Sequence, residues 1–202
     1  MLSKGEKSVY TALYLNKTGM HVREICRYAK LTIPAVSKHI DSGQKNKIII
    51  CEKKGSLKIC KLNFKSQQLV SIIQNTELIR FQKLPHNIQD SFDSFTADLS
   101  EKPLIALIFG SFAKGDYTKK SDLDILLIFQ RVDNKLVKNI EILSNKIKGR
   151  AMVNLQPITI DYEEFEKKVL NKEDEFMKDI RKNALVLYGI DRYLKIISRF
   201  YE

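Results

Sequence analysis

Hydrophobic positions in the first third of the chain recur at helical spacing and then alternate over two short segments. The spacing predicts helices over 4–15, 21–29 and 33–44. Pro34 stands in the first turn of the third helix, where its missing N–H costs no hydrogen bond. Two β-rich segments, 47–51 and 57–62, follow on either side of a turn that contains Gly55, which is typical of a hairpin.

The rest of the chain is helical up to about residue 100 and then alternates strands with helices. Pro85 separates two connector helices, the second over 87–99. The later pattern predicts strands at 104–109, 123–130, within 151–160 and at 184–189, and helices at 134–147, 161–169, 173–183 and after 190. This alternation predicts an α/β domain with a mixed sheet. The chain is thereby divided into a small domain (1–65), a helical connector (66–102) and an α/β domain (103–202).

The positive charge is concentrated in the small domain. The chain has a net charge of +11, and residues 1–65 carry 14 Lys/Arg against 4 Asp/Glu, a balance of +10. A concentrated positive field favours polyanions, because phosphate contacts release condensed counterions. Nucleic-acid binding is the interpretation we favour over a merely solvated basic surface.

Several classes of protein are excluded by what the sequence lacks. The start of the chain has no secretory signal, and the longest apolar runs are the size of a strand, so we expect a cytoplasmic location and no membrane partner. Three cysteines are too few for a disulfide scaffold and lack zinc-site spacing. Cys51 and Cys60 can face each other across the hairpin, and we expect packed thiols.

The order of elements in residues 1–65 resembles that of the winged helix-turn-helix family. The resemblance implies that the third helix presents Ser37 and Lys38 to the major groove of duplex DNA. It also implies that Lys53 and Lys54, near the tip of the hairpin, meet backbone phosphate. The alternative is a module for protein contact or dimerisation, and the connector helix offers a second route to a homodimer.

The α/β domain begins with a motif suited to phosphate chemistry. Gly110 and Ser111 directly follow a strand and open a helix, so that backbone N–H groups and a hydroxyl can approach a phosphate. Asp122 and Asp124 stand at the head of the next strand, where side chains at i and i+2 share a face. Paired carboxylates suit Mg²⁺, which takes oxygen ligands together with substrate phosphates.

The motif resembles that of the DNA polymerase β-like nucleotidyltransferases, above all their small, minimal-type members. The matching positions are Gly110, Ser111, Ala113, Gly115, Ser121, Asp122 and Asp124. The resemblance implies that Gly110 and Ser111 bind a nucleoside triphosphate, with ATP the expected one. It implies that Asp122 and Asp124 are catalytic and bind Mg²⁺ or Mn²⁺. Lys114 is a candidate phosphate ligand, with a solvated lysine as the alternative.

One position departs from the family pattern. Active members carry a third carboxylate on the strand beside the paired aspartates, where it binds metal and accepts the proton of the attacking hydroxyl. The matching strand here offers the amides Asn154 and Gln156. Asp161 has the opposite parity along that strand. Nucleotide and metal binding is therefore better supported by the sequence than turnover is.

Three functions remain open at this point. The first is a nucleotidyltransferase that moves an NMP, with AMP expected, from an NTP to a hydroxyl on a protein, an RNA or a small molecule. The second is a DNA-binding regulator whose nucleotidyltransferase-like domain senses NTP without chemistry. The third is the antitoxin of a toxin–antitoxin pair, although nothing in the sequence identifies such a partner.

Overall fold

The chain folds into two compact units. The structure is a computed structural model that describes residues 2–151 and 153–201, except for the side chains at 150 and 151. The first unit takes the chain up to Thr76 and again from Ile197 onward, and the second is Glu77–Ile196. Both divisions fall inside continuous helices, so each unit is described by itself.

The first unit combines helices with a small antiparallel sheet. Its elements are α1 (Lys4–Leu15), β1 (Met20–His21), α2 (Val22–Ala29), α3 (Ile33–Lys45), β2 (Ile49–Lys54), β3 (Leu57–Leu62) and the start of α4 (Gln68–Phe81). The sheet has the order β1-β3-β2. The three helices and the hairpin that the sequence predicts are confirmed. The two-residue strand β1 is an addition that the pattern does not reveal.

Reciprocal caps explain where the first two helices begin. The Ser3 hydroxyl accepts the Glu6 N–H, and the Glu6 carboxylate accepts the Ser3 N–H. His21 and Glu24 form the same arrangement at the start of α2. Each cap satisfies backbone donors that have no partner within the helix.

The structure of the hairpin differs from the sequence prediction in the length of its turn and in the state of its two cysteines. Strand β2 extends to Lys54, so the turn is shortened to two residues and Lys53 and Lys54 belong to the end of the strand. Cys51 and Cys60 are joined in a disulfide, so the expectation of packed thiols is wrong for this pair. The two residues lie directly opposite each other in the antiparallel register, with Cα atoms 4.1 Å apart. Cys26 is a free thiol.

The second unit is built on a four-stranded mixed sheet. Its elements are the end of α4, then α5 (His86–Asp98), β4 (Ile105–Ile108), α6 (Gly110–Lys114), β5 (Leu123–Phe129), α7 (Asn134–Ala151), β6 (Leu155–Asp161), α8 (Tyr162–Leu170), α9 (Glu175–Asn183), β7 (Leu185–Tyr188) and α10 (Ile190–Phe200). The order is β6-β5-β4-β7, with β5 and β6 parallel and the other pairs antiparallel. The predicted mixed α/β architecture is confirmed.

The core of the second unit lies between the sheet and several helices. Some of these helices precede the strands in sequence, and others lie between them. Every residue of β4 is buried, and β5 is buried from Ile125 to its end. Connector residues such as Phe92 and Phe95 of α5 belong to the same core as the sheet. Removal of this apolar surface from water stabilises the unit and fixes the carboxyl end of β4 beside the start of β5.

No helix in the described part of the chain is long and apolar enough to cross a lipid bilayer.

Candidate active site

The turn after β4 carries the first part of the site. The Phe109 N–H donates to the Asp124 carbonyl at 3.0 Å, which ties the end of β4 to the start of β5. Gly110 then takes φ +67° and begins α6. A β-carbon at Gly110 would collide with the Oδ2 atom of Asp124. The turn therefore requires glycine both for its backbone conformation and for the approach of this carboxylate.

The two aspartates stand at the head of β5, with Leu123 buried between them. Both carboxylates are partly exposed. Burial raises the pKa of Asp124, the charge of Asp122 raises it further, and the charge of Lys114 opposes the shift. We find no hydrogen-bond donor to either carboxylate among the described residues. The oxygens of both carboxylates are therefore available to a cation.

The candidate phosphate ligand Lys114 is paired with a carboxylate of the protein itself. Its ammonium group forms an ion pair with Asp179 of α9 at 3.1 Å. The Asn183 side-chain amide donates to the same carboxylate at 2.8 Å. Lys114 is thus held near Asp124 by a partner that sequence reasoning does not identify, because Asp179 lies 65 residues further along the chain.

The neighbouring strand places the two amides beside the two aspartates. In the parallel register of β5 and β6, Asp124 is level with Gln156, and the Leu123 N–H donates to the Asn154 carbonyl. Paired residues on neighbouring strands share a face of the sheet, and the strands lie about 4.8 Å apart. Gln156 therefore occupies the position next to Asp124 where a third carboxylate is expected.

Asp161 does not substitute for that carboxylate. It is level with Phe129 at the far end of β6, about 16 Å of strand from Gln156. Its Oδ1 atom accepts the Val132 N–H at 2.7 Å. Asp161 has a structural role in the turn that follows β5.

A cleft of about 720 Å³ opens beside Asp122. Asn154 lines one side of it, and Tyr117, Lys119 and Lys120 come from the loop between α6 and β5. The Tyr117 ring stacks on Phe112 of α6 with centroids 4.6 Å apart. The cleft therefore opens at the head of β5.

The donor set fits a divalent metal ion that is shared with a phosphate ligand. No group of three or more His, Cys, Asp or Glu side chains that could hold a metal occurs among the residues described. Asp122 and Asp124 supply two hard oxygen ligands, and Mg²⁺ is commonly bound by one or two carboxylates plus substrate phosphates. The arrangement suits an ion that arrives with a nucleotide.

A scan against protein-family profiles matches residues 95–197, just over half of the chain, to the family described as the nucleotidyltransferase domain. The chain belongs to this nucleotidyltransferase family. No curated protein and no solved structure matches the chain. The match covers β4, the Gly110 turn, the paired aspartates and β6, so the predicted resemblance to DNA polymerase β-like nucleotidyltransferases is confirmed for this part.

Membership implies the reaction class. Nucleotidyltransferases transfer an NMP from an NTP, and the family generally uses a divalent metal ion. The matched residues exclude the first 94 positions, so the family says nothing of the basic N-terminal segment.

The predicted DNA-contact residues lie in the first unit on two elements. Ser37 is half-buried and Lys38 is exposed on α3, while Lys53 and Lys54 are exposed at the end of β2. A groove of about 400 Å³ beside the hairpin turn is lined by Arg23 and Lys58. Sequence reasoning does not select these two cations, because only the folded sheet brings the start of α2 next to β3.

Proposed function

We propose that this nucleotidyltransferase transfers AMP from ATP to a hydroxyl group of an acceptor, and that its N-terminal unit binds duplex DNA. The observation that carries the first part is the close packing of the Gly110 turn against Asp124, with Asp122 on the same face. This brings a phosphate-binding turn and a metal-binding carboxylate pair into contact.

Each group in the site has a role in holding the triphosphate. The Ser111 hydroxyl and the backbone N–H groups after Gly110 donate to phosphate oxygens. Asp122 and Asp124 hold the divalent ion. When bound, the ion neutralises triphosphate charge and polarises the α-phosphorus. Lys114, paired with Asp179, contributes positive potential near Asp124.

The transfer step then needs an acceptor in line with the leaving group. The acceptor oxygen bonds to the α-phosphorus, the bond to the α–β bridging oxygen breaks, and pyrophosphate departs. The proton of the acceptor hydroxyl must pass to a base. The Gln156 and Asn154 amides do not accept it as a carboxylate would, so we expect slow transfer.

A second candidate function rests on the same amides. A site that holds NTP and metal but lacks the third carboxylate is suited to sensing nucleotide without turnover. In that case the chain is a DNA-binding regulator whose occupancy reports the NTP concentration. The observation that favours it is the position of Gln156 level with Asp124.

Transfer of label from α-labelled ATP separates the two candidates. The acceptors tested are the protein itself, RNA and candidate partner proteins, and the variants are Gln156→Asp, Asn154→Asp and Asp122→Asn. The transferase proposal predicts weak labelling by wild type, a rise of about tenfold or more in Gln156→Asp, and none in Asp122→Asn. Nucleotide binding without labelling in any variant would support the sensor and overturn the transferase.

Support for DNA binding comes from the order and charge of the first unit. Three helices followed by an antiparallel hairpin is the arrangement of a winged helix. Lys38 on α3 and Lys53 and Lys54 on the hairpin are exposed, as contacts to DNA require. In this proposal Lys38 and Ser37 reach base edges, and the hairpin lysines meet backbone phosphate.

A further inference from the structure

The guanidinium of Arg80, on α4, donates four hydrogen bonds within the second unit. Its Nη1 atom donates to the Glu77 carboxylate at 2.7 Å and to the Ala184 carbonyl at 3.1 Å. Its Nη2 atom donates to the carbonyls of Ala113 at 3.1 Å and Asn183 at 2.9 Å. One guanidinium therefore joins α4, α6 and the junction between α9 and β7.

The fixed fork of the guanidinium is needed for this arrangement. An arginine presents five donors in one plane, whereas a lysine presents one small ammonium group. The Glu77 side chain is 1% exposed and the Arg80 side chain 20% exposed, so the carboxylate holds the guanidinium in place away from bulk water. The i, i+3 spacing of Glu77 and Arg80 on α4 also fixes its direction.

Helix α6 depends on such an external contact. It has only five residues, too few for its own hydrogen bonds to maintain it. The Ser111 carbonyl already accepts the N–H groups of Gly115 and Asp116. The Ala113 carbonyl is one of the helix-end acceptors that need a partner from outside, and Arg80 supplies it.

The same contacts reach the charged groups of the site. Asn183, whose carbonyl accepts from Arg80, donates its side-chain amide to Asp179. Asp179 in turn forms an ion pair at 3.1 Å with Lys114, the last residue of α6. Arg80 thus fixes both ends of the connection between α6 and α9.

We propose that Arg80 is a positioning residue for the nucleotide site. It anchors the C-terminal end of α6 to the α9–β7 junction, so that Gly110 and Ser111 keep the geometry that receives the triphosphate. The link to nucleotide rests on the proposed function, whereas the anchoring of α6 is a property of the protein without ligand.

The test compares Arg80→Lys with Arg181→Lys. Arg181 is a matched control, because its guanidinium also donates to backbone carbonyls, and these belong to Val169 and Asn171, at the other end of α9 from Asn183 and outside α6. The first readout is hydrogen exchange of the Gly115 and Asp116 amides without nucleotide. The second is the affinity for Mg²⁺–ATP, measured well below the unfolding temperature of each variant.

We expect exchange at Gly115 and Asp116 to rise about tenfold in Arg80→Lys, with amides of β5 unchanged, and the affinity for Mg²⁺–ATP to fall about tenfold. Arg181→Lys should leave both readouts within about twofold of wild type. Unchanged exchange in Arg80→Lys, or an equal rise in Arg181→Lys, overturns the anchoring. Faster exchange with unchanged affinity overturns the role at the nucleotide site. If wild type fails to bind Mg²⁺–ATP, the proposed function falls, and exchange alone still decides whether Arg80 anchors α6.

Discussion

At the residue scale, the site depends on the absence of a side chain at Gly110. The Asp124 carboxylate occupies the space that a β-carbon at Gly110 would fill. The backbone at Gly110 also has a positive φ, a conformation that costs other residues about 1–2 kcal/mol. Because Gly110 has no β-carbon, the proposed phosphate-binding turn can contact Asp124, the proposed metal ligand.

Replacement of Gly110 by alanine should therefore damage binding more than stability. Gly115 is a matched control, because it has φ +83° but no atom within 4 Å of an added β-carbon. We expect Gly110→Ala and Gly115→Ala to share a backbone cost of about 1–2 kcal/mol, measured by urea unfolding. Only Gly110→Ala should lose Mg²⁺–ATP affinity, by about tenfold or more. Equal affinities in the two variants would contradict the role of the Asp124 contact.

The ionisation of Asp124 gives a prediction about pH. Burial and the charge of Asp122 raise the pKa of Asp124, so the folded protein binds this proton more tightly than the unfolded chain does. The cost of ionising Asp124 in the fold is absent below its unfolded pKa of about 3.9 and is complete above its folded pKa. Without metal, Asp124→Asn should therefore gain stability relative to wild type as pH rises from about 3.5 to 7.

Urea unfolding in the presence of a chelator measures this difference. Asp116→Asn, which removes an exposed carboxylate from the loop after α6, is the control for the loss of one negative charge. A stability of Asp124→Asn that falls below that of wild type as pH rises would show that Asp124 is stabilised by a partner in its ionised form.

Residues of the motif could be predicted from the sequence, whereas their supporting contacts could not. Spacing alone places Asp122 and Asp124 on one face and Gly110 at a turn. The ion pair of Lys114 with Asp179 and the four hydrogen bonds of Arg80 join segments far apart in sequence. The local sequence offers Arg80 one partner, Glu77, three residues earlier on the same helix.

At the scale of elements, the register between β5 and β6 determines which residue of β6 lies beside Asp124, and this residue is an amide instead of a carboxylate. Because β5 and β6 are parallel, one register places Gln156 beside Asp124 and moves Asp161 to the opposite end. The parity of Asn154 and Gln156 is readable from the sequence, but the choice of which residue is level with Asp124 requires the sheet. The strand β1 could not be predicted from the sequence either, because two residues are too few to show a periodic pattern.

The hairpin gives a prediction about DNA binding. Changing Lys53 and Lys54 to Ala should weaken binding to all duplex sequences about equally and lower the salt slope by about 1.8, if each lysine makes one phosphate contact. Changing Lys38 to Ala should also alter sequence preference. Lys135→Ala with Lys138→Ala is the control, because it removes the same charge from exposed positions of α7 in the second unit.

Fluorescence anisotropy with duplexes of different sequence, at several salt concentrations, measures these effects. A control pair that weakens binding as much as the hairpin pair does would show that only net charge matters. Absence of duplex binding by wild type at low salt would leave the first unit as a module for protein contact.

At the scale of the whole molecule, charge and chemistry are separated between the two units. The excess of +10 over residues 1–65 lies in the first unit, while the family match at 95–197 begins in the second. This separation was predictable from composition and motif spacing. The assignment of α5 to the core of the second unit was not, because its apolar spacing fits a free-standing connector equally well.

Calorimetric titration with Mg²⁺–ATP tests the central claim most directly. The wild-type protein should bind one nucleotide, and the double variant Asp122→Asn with Asp124→Asn should lose metal-dependent binding by at least about tenfold. The folded state of the variant is checked by its thermal unfolding. An unchanged affinity for Mg²⁺–ATP in the double variant would contradict the assignment of the nucleotide site to the Gly110 turn and the head of β5.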